Sequence, residues 1–111
     1  MYRNNRRMFD RFEVDFSADV KQSHAEQSNF AQCYDISAGG LGLLTEGKLT
    51  PEANMEIWLG IPDGHPPFRS LARVLWSKQV QENKWRSGLE FEKVDFMGVR
   101  RIFDTPGHKL P

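Results

Sequence analysis

Asp35-Ile36-Ser37-Ala38-Gly39-Gly40 places an acid, a hydroxyl and paired glycines in one short stretch. Arg6, Arg7 and Arg11 precede it in a polar arm, with Arg7 and Arg11 four positions apart. A guanidinium is planar, permanently charged and forked. It can bond a phosphate through two N–H groups, grip the O6 and N7 acceptors of a guanine, or lie flat on a base. Lysine would bring charge without the fork. An ionised aspartate only accepts hydrogen bonds, which suits Asp35 to the N1–H and N2–H2 donors on guanine's other edge. Ser37 can donate or accept, towards a base edge or a phosphate. Gly39 and Gly40 permit positive φ and close backbone approach, and N–H groups bared at such a turn can form an anion-binding nest. Trp76 adds a face on which a base could stack. These residue types describe a receptor for a compact anion that carries guanine. Arg3 and Arg7 repeat the same spacing, but Phe12-Glu13-Val14 begins a strand directly after Arg11, which favours the Arg7 and Arg11 register. The sequence leaves open which arginine meets base and which meets phosphate.

The scaffold for these groups is small. The 111 residues fit one domain with one core. Lysine plus arginine total 15 and aspartate plus glutamate total 15, a balance unlike that of a general nucleic-acid coat protein. Charge is nevertheless uneven, because Arg3, Arg6, Arg7 and Arg11 face only Asp10 at the start of the chain. Cys33 is the single cysteine, so no intrachain disulfide can form. No apolar run approaches the length of a membrane span, and the first residues lack the apolar stretch of a secretory signal. A cytoplasmic location is expected.

Alternation supplies the elements. Val14, Phe16, Ala18 and Val20 alternate with Glu13, Asp15, Ser17 and Asp19, the period of a half-buried strand. Residues 21–28 read as a loop, and residues 30–34 resume a strand that the Ser/Gly turn interrupts. Residues 41–45 continue beyond the turn. Met55, Ile57, Leu59 and Ile61 alternate between Pro51 and Pro62-Asp63-Gly64; residues 68–76 form a longer strand, and Trp85, Ser87, Leu89 and Phe91 a last one. The tail changes period: Phe96, Val99 and Phe103 make a helical stripe, with Asp95 as its N-cap and Pro106-Gly107 as its stop. Roughly six strands followed by one helix favour an antiparallel barrel or sandwich.

In this order and spacing, Arg7-x-x-x-Arg11, a strand, and Asp35-x-Ser37-x-x-Gly40 resemble the signature of the PilZ domain. Ala72-Arg73-Val74-Leu75-Trp76-Ser77 and Gly88-Leu89-Glu90-Phe91 look like its late strands, and the resemblance runs from about Arg6 to Phe103. It implies a mainly β fold: a six-stranded antiparallel β-barrel (residues 12–92) with a short C-terminal helix (residues 94–104) and a flexible arm (residues 1–11), together one domain. It further implies a receptor or adaptor with no catalysis, whose usual ligand is the bacterial second messenger cyclic di-GMP, and an arm that lies across the barrel mouth. The expected site is Arg6, Arg7, Arg11, Asp35, Ser37, Gly39, Gly40 and Trp76, with no cofactor or metal. An unidentified downstream protein, no DNA, and a monomer or weak homodimer complete the expectation.

Plainer readings stand beside these. The arginines could be a solvated tail, and Asp35 and Ser37 could bond the local backbone of their turn. Trp58, Trp85 and the phenylalanines are assigned to the core, Trp76 falls between core and rim, and Gly42 and Gly88 read as strand or bulge glycines. His24, His65 and His108 are scattered and read as surface residues, and Cys33 as a small buried apolar group. Two other functions compete with the receptor. One is a ligand-independent adaptor of the same fold. The other is a barrel that binds single-stranded nucleic acid, which the balanced charge disfavours.

Overall fold

The computed structural model describes residues 11–93 and 100–102. Six strands close into an antiparallel barrel: β1 (Phe12–Gln22), β2 (Asn29–Ile36), β3 (Gly40–Thr45), β4 (Asn54–Gly60), β5 (Phe68–Gln81) and β6 (Lys84–Phe91). Their order around the wall is β1-β2-β3-β6-β5-β4, and β4 pairs with β1 to complete the ring.

Alternation builds this wall. In β1, Phe16, Ala18 and Val20 point inward and are buried, while Asp15, Ser17 and Asp19 stay in water. Val20, Leu41, Leu43, Ile57, Leu59 and Val74 have no exposed surface at all. Burying a side chain of this size contributes roughly 1.5–3 kcal/mol of transfer free energy. Ser87 is a buried polar exception: its hydroxyl donates to Ser77 Oγ at 2.8 Å, and Ser77 Oγ accepts the Leu49 N–H at 3.1 Å. That relay pins the segment ahead of β4 to β5 and β6.

The helical stripe of Phe96, Val99 and Phe103, with Asp95 before it, lies outside the described residues, as does His108; residues 100–102 are helical. Ile102 is 2% exposed and joins the core. Arg101 ties the same turn to the β4–β5 connection with a two-pronged ion pair, Nε to Asp63 Oδ2 at 2.8 Å and Nη2 to Asp63 Oδ1 at 2.9 Å, and Nη2 also donates to the Pro66 carbonyl at 3.0 Å.

Several expectations need correction. Residues 21–22 remain strand, since Lys21 and Gln22 pair with Glu56 and Met55 of β4. β5 runs five residues beyond Trp76 to Gln81, where Glu82 and Asn83 close the hairpin with Asn83 at φ 58°. Lys78-Gln79-Val80-Gln81 carry no alternating burial because this end of the ribbon is exposed on both faces. Trp58 and Trp85 are half-buried instead of core, with Arg69 and Lys48 each 5.9 Å from the ring centre. Trp58 lies between the inward Ile57 and Leu59 and so faces out. Phe30 is 68% exposed.

Candidate functional site

The turn between β2 and β3 is braced from within. The Ser37 N–H donates to the Gly40 carbonyl at 2.8 Å, and Ser37 Oγ accepts the Gly39 N–H at 3.2 Å and donates to the Gly40 carbonyl at 3.5 Å. Ser37 is only 5% exposed, so the plainer reading describes its hydroxyl: it shapes the turn. The Gly39 carbonyl accepts the Phe91 N–H at 2.8 Å, tying the turn to the end of β6. Gly40 is required by proximity, not by a left-handed φ. A Cβ there would run into the Leu89 carbonyl oxygen and stand 3.1 Å from its carbon. The positive-φ glycine among the described residues is Gly64, at 80°.

Arg11 and Asp35 meet. Arg11 Nη1 donates to Asp35 Oδ1 at 2.9 Å, and the two side chains are 48% and 24% exposed. Such an exposed pair contributes about 0–1 kcal/mol, so a ligand can exchange it at little cost. Arg6 and Arg7 lie outside the described residues.

Asp35 sits where it does because β2 bulges. Cys33 and Asp35 oppose the consecutive residues Leu43 and Gly42 of β3, which leaves Tyr34 as an extra residue. Cys33 and Ile36 therefore point inward and are buried, while Tyr34 and Asp35 both stand on the outer wall. β5 repeats the device. Val74 and Trp76 oppose the consecutive Leu89 and Gly88, and Leu75 and Trp76 are both turned outward, 43% and 45% exposed. Trp76 thus lies outside the core, on the outer wall just beyond the last β4–β5 pair.

The registers connect these groups. Asp35 opposes Gly42, Gly42 opposes Gly88, and Gly88 opposes Trp76, forming one outward row across β2, β3, β6 and β5. A Cβ on Gly42 would fall 2.6 Å from Asp35 Oδ1 and 2.7 Å from the Tyr34 hydroxyl oxygen. A Cβ on Gly88 would run into Trp76 Nε1 and stand 2.6 Å from Cε2. The tyrosine and the tryptophan therefore lie down over a floor of two bare backbone positions. The sequence reading assigned both glycines to the strands, which is correct, but passed over Tyr34. The available signal was phase: Gly42 falls between Leu41 and Leu43, so it must face out.

Electrostatics separate Cys33 from the site. Burial pushes its thiol up to about 12, with the Asp35 charge adding to the effect, so it stays protonated. A cavity of about 370 Å³ beside Phe30, Thr45 and Leu49 lies at the other ends of β2 and β3, away from Asp35. Among the described residues, no three His, Cys, Asp or Glu side chains gather as a metal site, and no helix is long and apolar enough to cross a membrane.

Comparison with known proteins gives the same architecture. The family model described as PilZ domain matches residues 5–103. The structure resembles the PilZ domain of YcgR from Escherichia coli solved with c-di-GMP, with a TM-score of 0.65 at 18% identity, over 88% of this chain and 86% of that one. It also resembles the Bacillus subtilis inhibitor of motility MotI/DgrA (TM-score 0.65, 14% identity, 85% of this chain, 46% of that one). The PilZ domain of CeSA from a cellulose-synthesizing bacterium gives a TM-score of 0.61 at 14% identity, over 85% of this chain and 91% of that one. This chain spans less than half of the Bacillus protein. No curated protein sequence matches it.

Proposed function

The chain belongs to the PilZ domain family, and from that membership we propose that it is a receptor for cyclic di-GMP that acts as an adaptor, without catalysis of its own. The observation that carries this reading is the contact of Arg11 with Asp35 beside a braced turn, on the wall that also presents Trp76. One group offers a cationic fork, one an acceptor and one a stacking face, which are the three features that a guanine dinucleotide needs. The YcgR domain solved with c-di-GMP has the same architecture.

On this reading the ligand replaces the internal ion pair. Asp35 turns its oxygens to the N1–H and N2–H2 of a guanine. Arg11, with Arg7 and Arg6, moves to the phosphates and the Hoogsteen edge. Trp76 stacks on a base, and Gly39 and Gly40 let the backbone come close. Ser37 acts through the turn that it holds. Engaging the arginines of residues 1–11 on the ligand changes the outer surface and so the docking of a downstream protein in the cytoplasm. DNA has no part in it, and the receptor is a monomer or weak homodimer.

An amide NMR spectrum with and without cyclic di-GMP tests the site. Shifts concentrated in residues 6–11 and 34–42 are expected, with the Trp76 indole N–H among them. An unchanged spectrum of the folded protein would remove the receptor reading and leave the ligand-independent adaptor.

A further inference from the structure

Arg86 is the described arginine whose charge the fold leaves unanswered while fixing its place. Arg11, Arg69, Arg73 and Arg101 each pair with a carboxylate. Arg86 has no such pair among the described residues; its guanidinium lies over the Tyr34 ring, 4.5 Å from the ring centre. Across the ladder it stands directly opposite Lys78, another exposed cation without an ion pair among the described residues. Like charges facing each other on neighbouring strands repel and lower stability. An anion held between them would reverse that sign.

The pair is on the right wall. Arg86 is two residues from Gly88 and Lys78 two residues from Trp76, so both cations lie in the row next to the one formed by Asp35, Gly42, Gly88 and Trp76. Two strand spacings and two residues of rise put Arg86 roughly 12 Å from Asp35, Cα to Cα, and its side chain reaches back to Tyr34. The ring that anchors the guanidinium is the one that covers Gly42 beside Asp35.

We propose that Arg86 and Lys78 form a phosphate subsite that extends the Asp35–Trp76 row and takes a phosphodiester of the bound dinucleotide. The inference rests on the receptor reading above. Arg86, stacked on Tyr34, contributes a pre-oriented fork, and Lys78 a mobile point charge. The phosphodiester can come from the far side of one ligand or from a second ligand stacked on the first; the recognition chemistry is the same.

Calorimetric titration of the full chain with cyclic di-GMP, at fixed salt, decides the matter. Lys78→Gln and Arg86→Gln are each expected to weaken binding about tenfold, as loss of one charge-assisted contact does. Arg86→Lys should fall between these variants and the wild type, because it keeps the charge and loses the fork. The Lys78 side chain has no ion pair or hydrogen bond among the described residues, so Lys78→Gln reports even if Arg86→Gln disturbs Tyr34. One ligand per chain, weakened at unchanged stoichiometry, assigns the subsite to the far phosphate. Two per chain, falling to one in Arg86→Gln, assigns it to a second ligand. If Lys78→Gln and Arg86→Lys both bind within about twofold of the wild type, the subsite is refuted and the receptor reading stands. If the folded wild type binds nothing, both fall together.

Discussion

Removing the Asp35 carboxylate should separate binding from folding. In the fold, Asp35 gives up one ion pair, to an Arg11 that is 48% exposed, and such contacts contribute about 0–1 kcal/mol. Its backbone partners in β1 and β3 are untouched, because Glu13 and Gly42 pair through the main chain. Asp35→Ala should therefore lower Tm by no more than about 4–8 °C, the shift that 1 kcal/mol gives in a domain near this size. In the complex the same carboxylate accepts from two donors of one guanine edge. A hydrogen bond to a charged group contributes about 1.5–3 kcal/mol, so losing one weakens binding about tenfold to a hundredfold, and losing both weakens it further. Asp35→Asn separates charge from shape, since its amide keeps one acceptor and presents donors to the guanine donors; it should bind no better than Asp35→Ala. Calorimetry of the wild type and both variants, with far-UV circular dichroism on the same samples, measures the two effects side by side. A folded Asp35→Ala that binds cyclic di-GMP within about twofold of the wild type would refute the assignment of this carboxylate to the ligand.

The glycines give a contrast in the same barrel. Gly40→Ala meets the Leu89 carbonyl, which cannot move without breaking the β3–β6 ladder, and should cost about 2 kcal/mol or more in chemical denaturation; the nearest atoms that Gly88→Ala meets belong to the partly exposed Trp76 ring, so it should cost less, while shifting the tryptophan emission and weakening binding. Equal destabilisation by the two would contradict the packing described. Cys33 should ignore a thiol reagent at mildly alkaline pH in the native protein and react fully in denaturant, because burial holds its thiol up at about 12; fast labelling of native protein would show the barrel to be open there. Arg101 and the His65 N–H hold the Asp63 carboxyl down at about 2, below its ordinary 3.8. A depressed carboxylate stabilises the fold above its unfolded pKa and loses that contribution as pH falls through the folded one. The Tm advantage of the wild type over Asp63→Asn should thus shrink between about pH 4 and pH 2; a constant difference across that range would show that the ion pair is not what the aspartate contributes.

Much of the barrel was legible because its interior is filled by every second residue. Phe16, Ala18 and Val20 alternate with Asp15, Ser17 and Asp19, and Ile57 and Leu59 alternate with Glu56, Trp58 and Gly60, so strand positions and facing could be read together. The same phase excludes Trp58 from the core, since parity along a strand decides facing and ring size does not. Alternation fails at bulges. Tyr34 and Leu75 each add one residue to a strand, and from there the outward face gains two adjacent side chains. A pattern of period two cannot announce its own interruption, which is why the row from Asp35 to Trp76 was invisible although its outer members were both named. Ser37 was named for its chemistry, while its hydroxyl is engaged by Gly39 and Gly40 of its own turn. Residues 1–10 of the arm, Arg6 and Arg7 among them, and the apolar stripe of Phe96, Val99 and Phe103 lie outside the described residues.

The closure of β4 onto β1 has a consequence for how any partner can attach. Every strand has a neighbour on each side, which closes the ring, but β5 pairs with β4 only as far as Arg73, so its last stretch, Leu75–Gln81, has β6 as its one strand neighbour among the described residues. Recognition by strand addition, the commonplace way for a sheet to capture a peptide, is closed to the ring itself and confined, among the described strands, to stretches such as this one that outrun their neighbour. A partner that reads the Asp35–Trp76 wall, where β2, β3, β6 and β5 are paired in succession, must do so through side chains, and it can distinguish two states of that wall only if those side chains are covered in one and bare in the other.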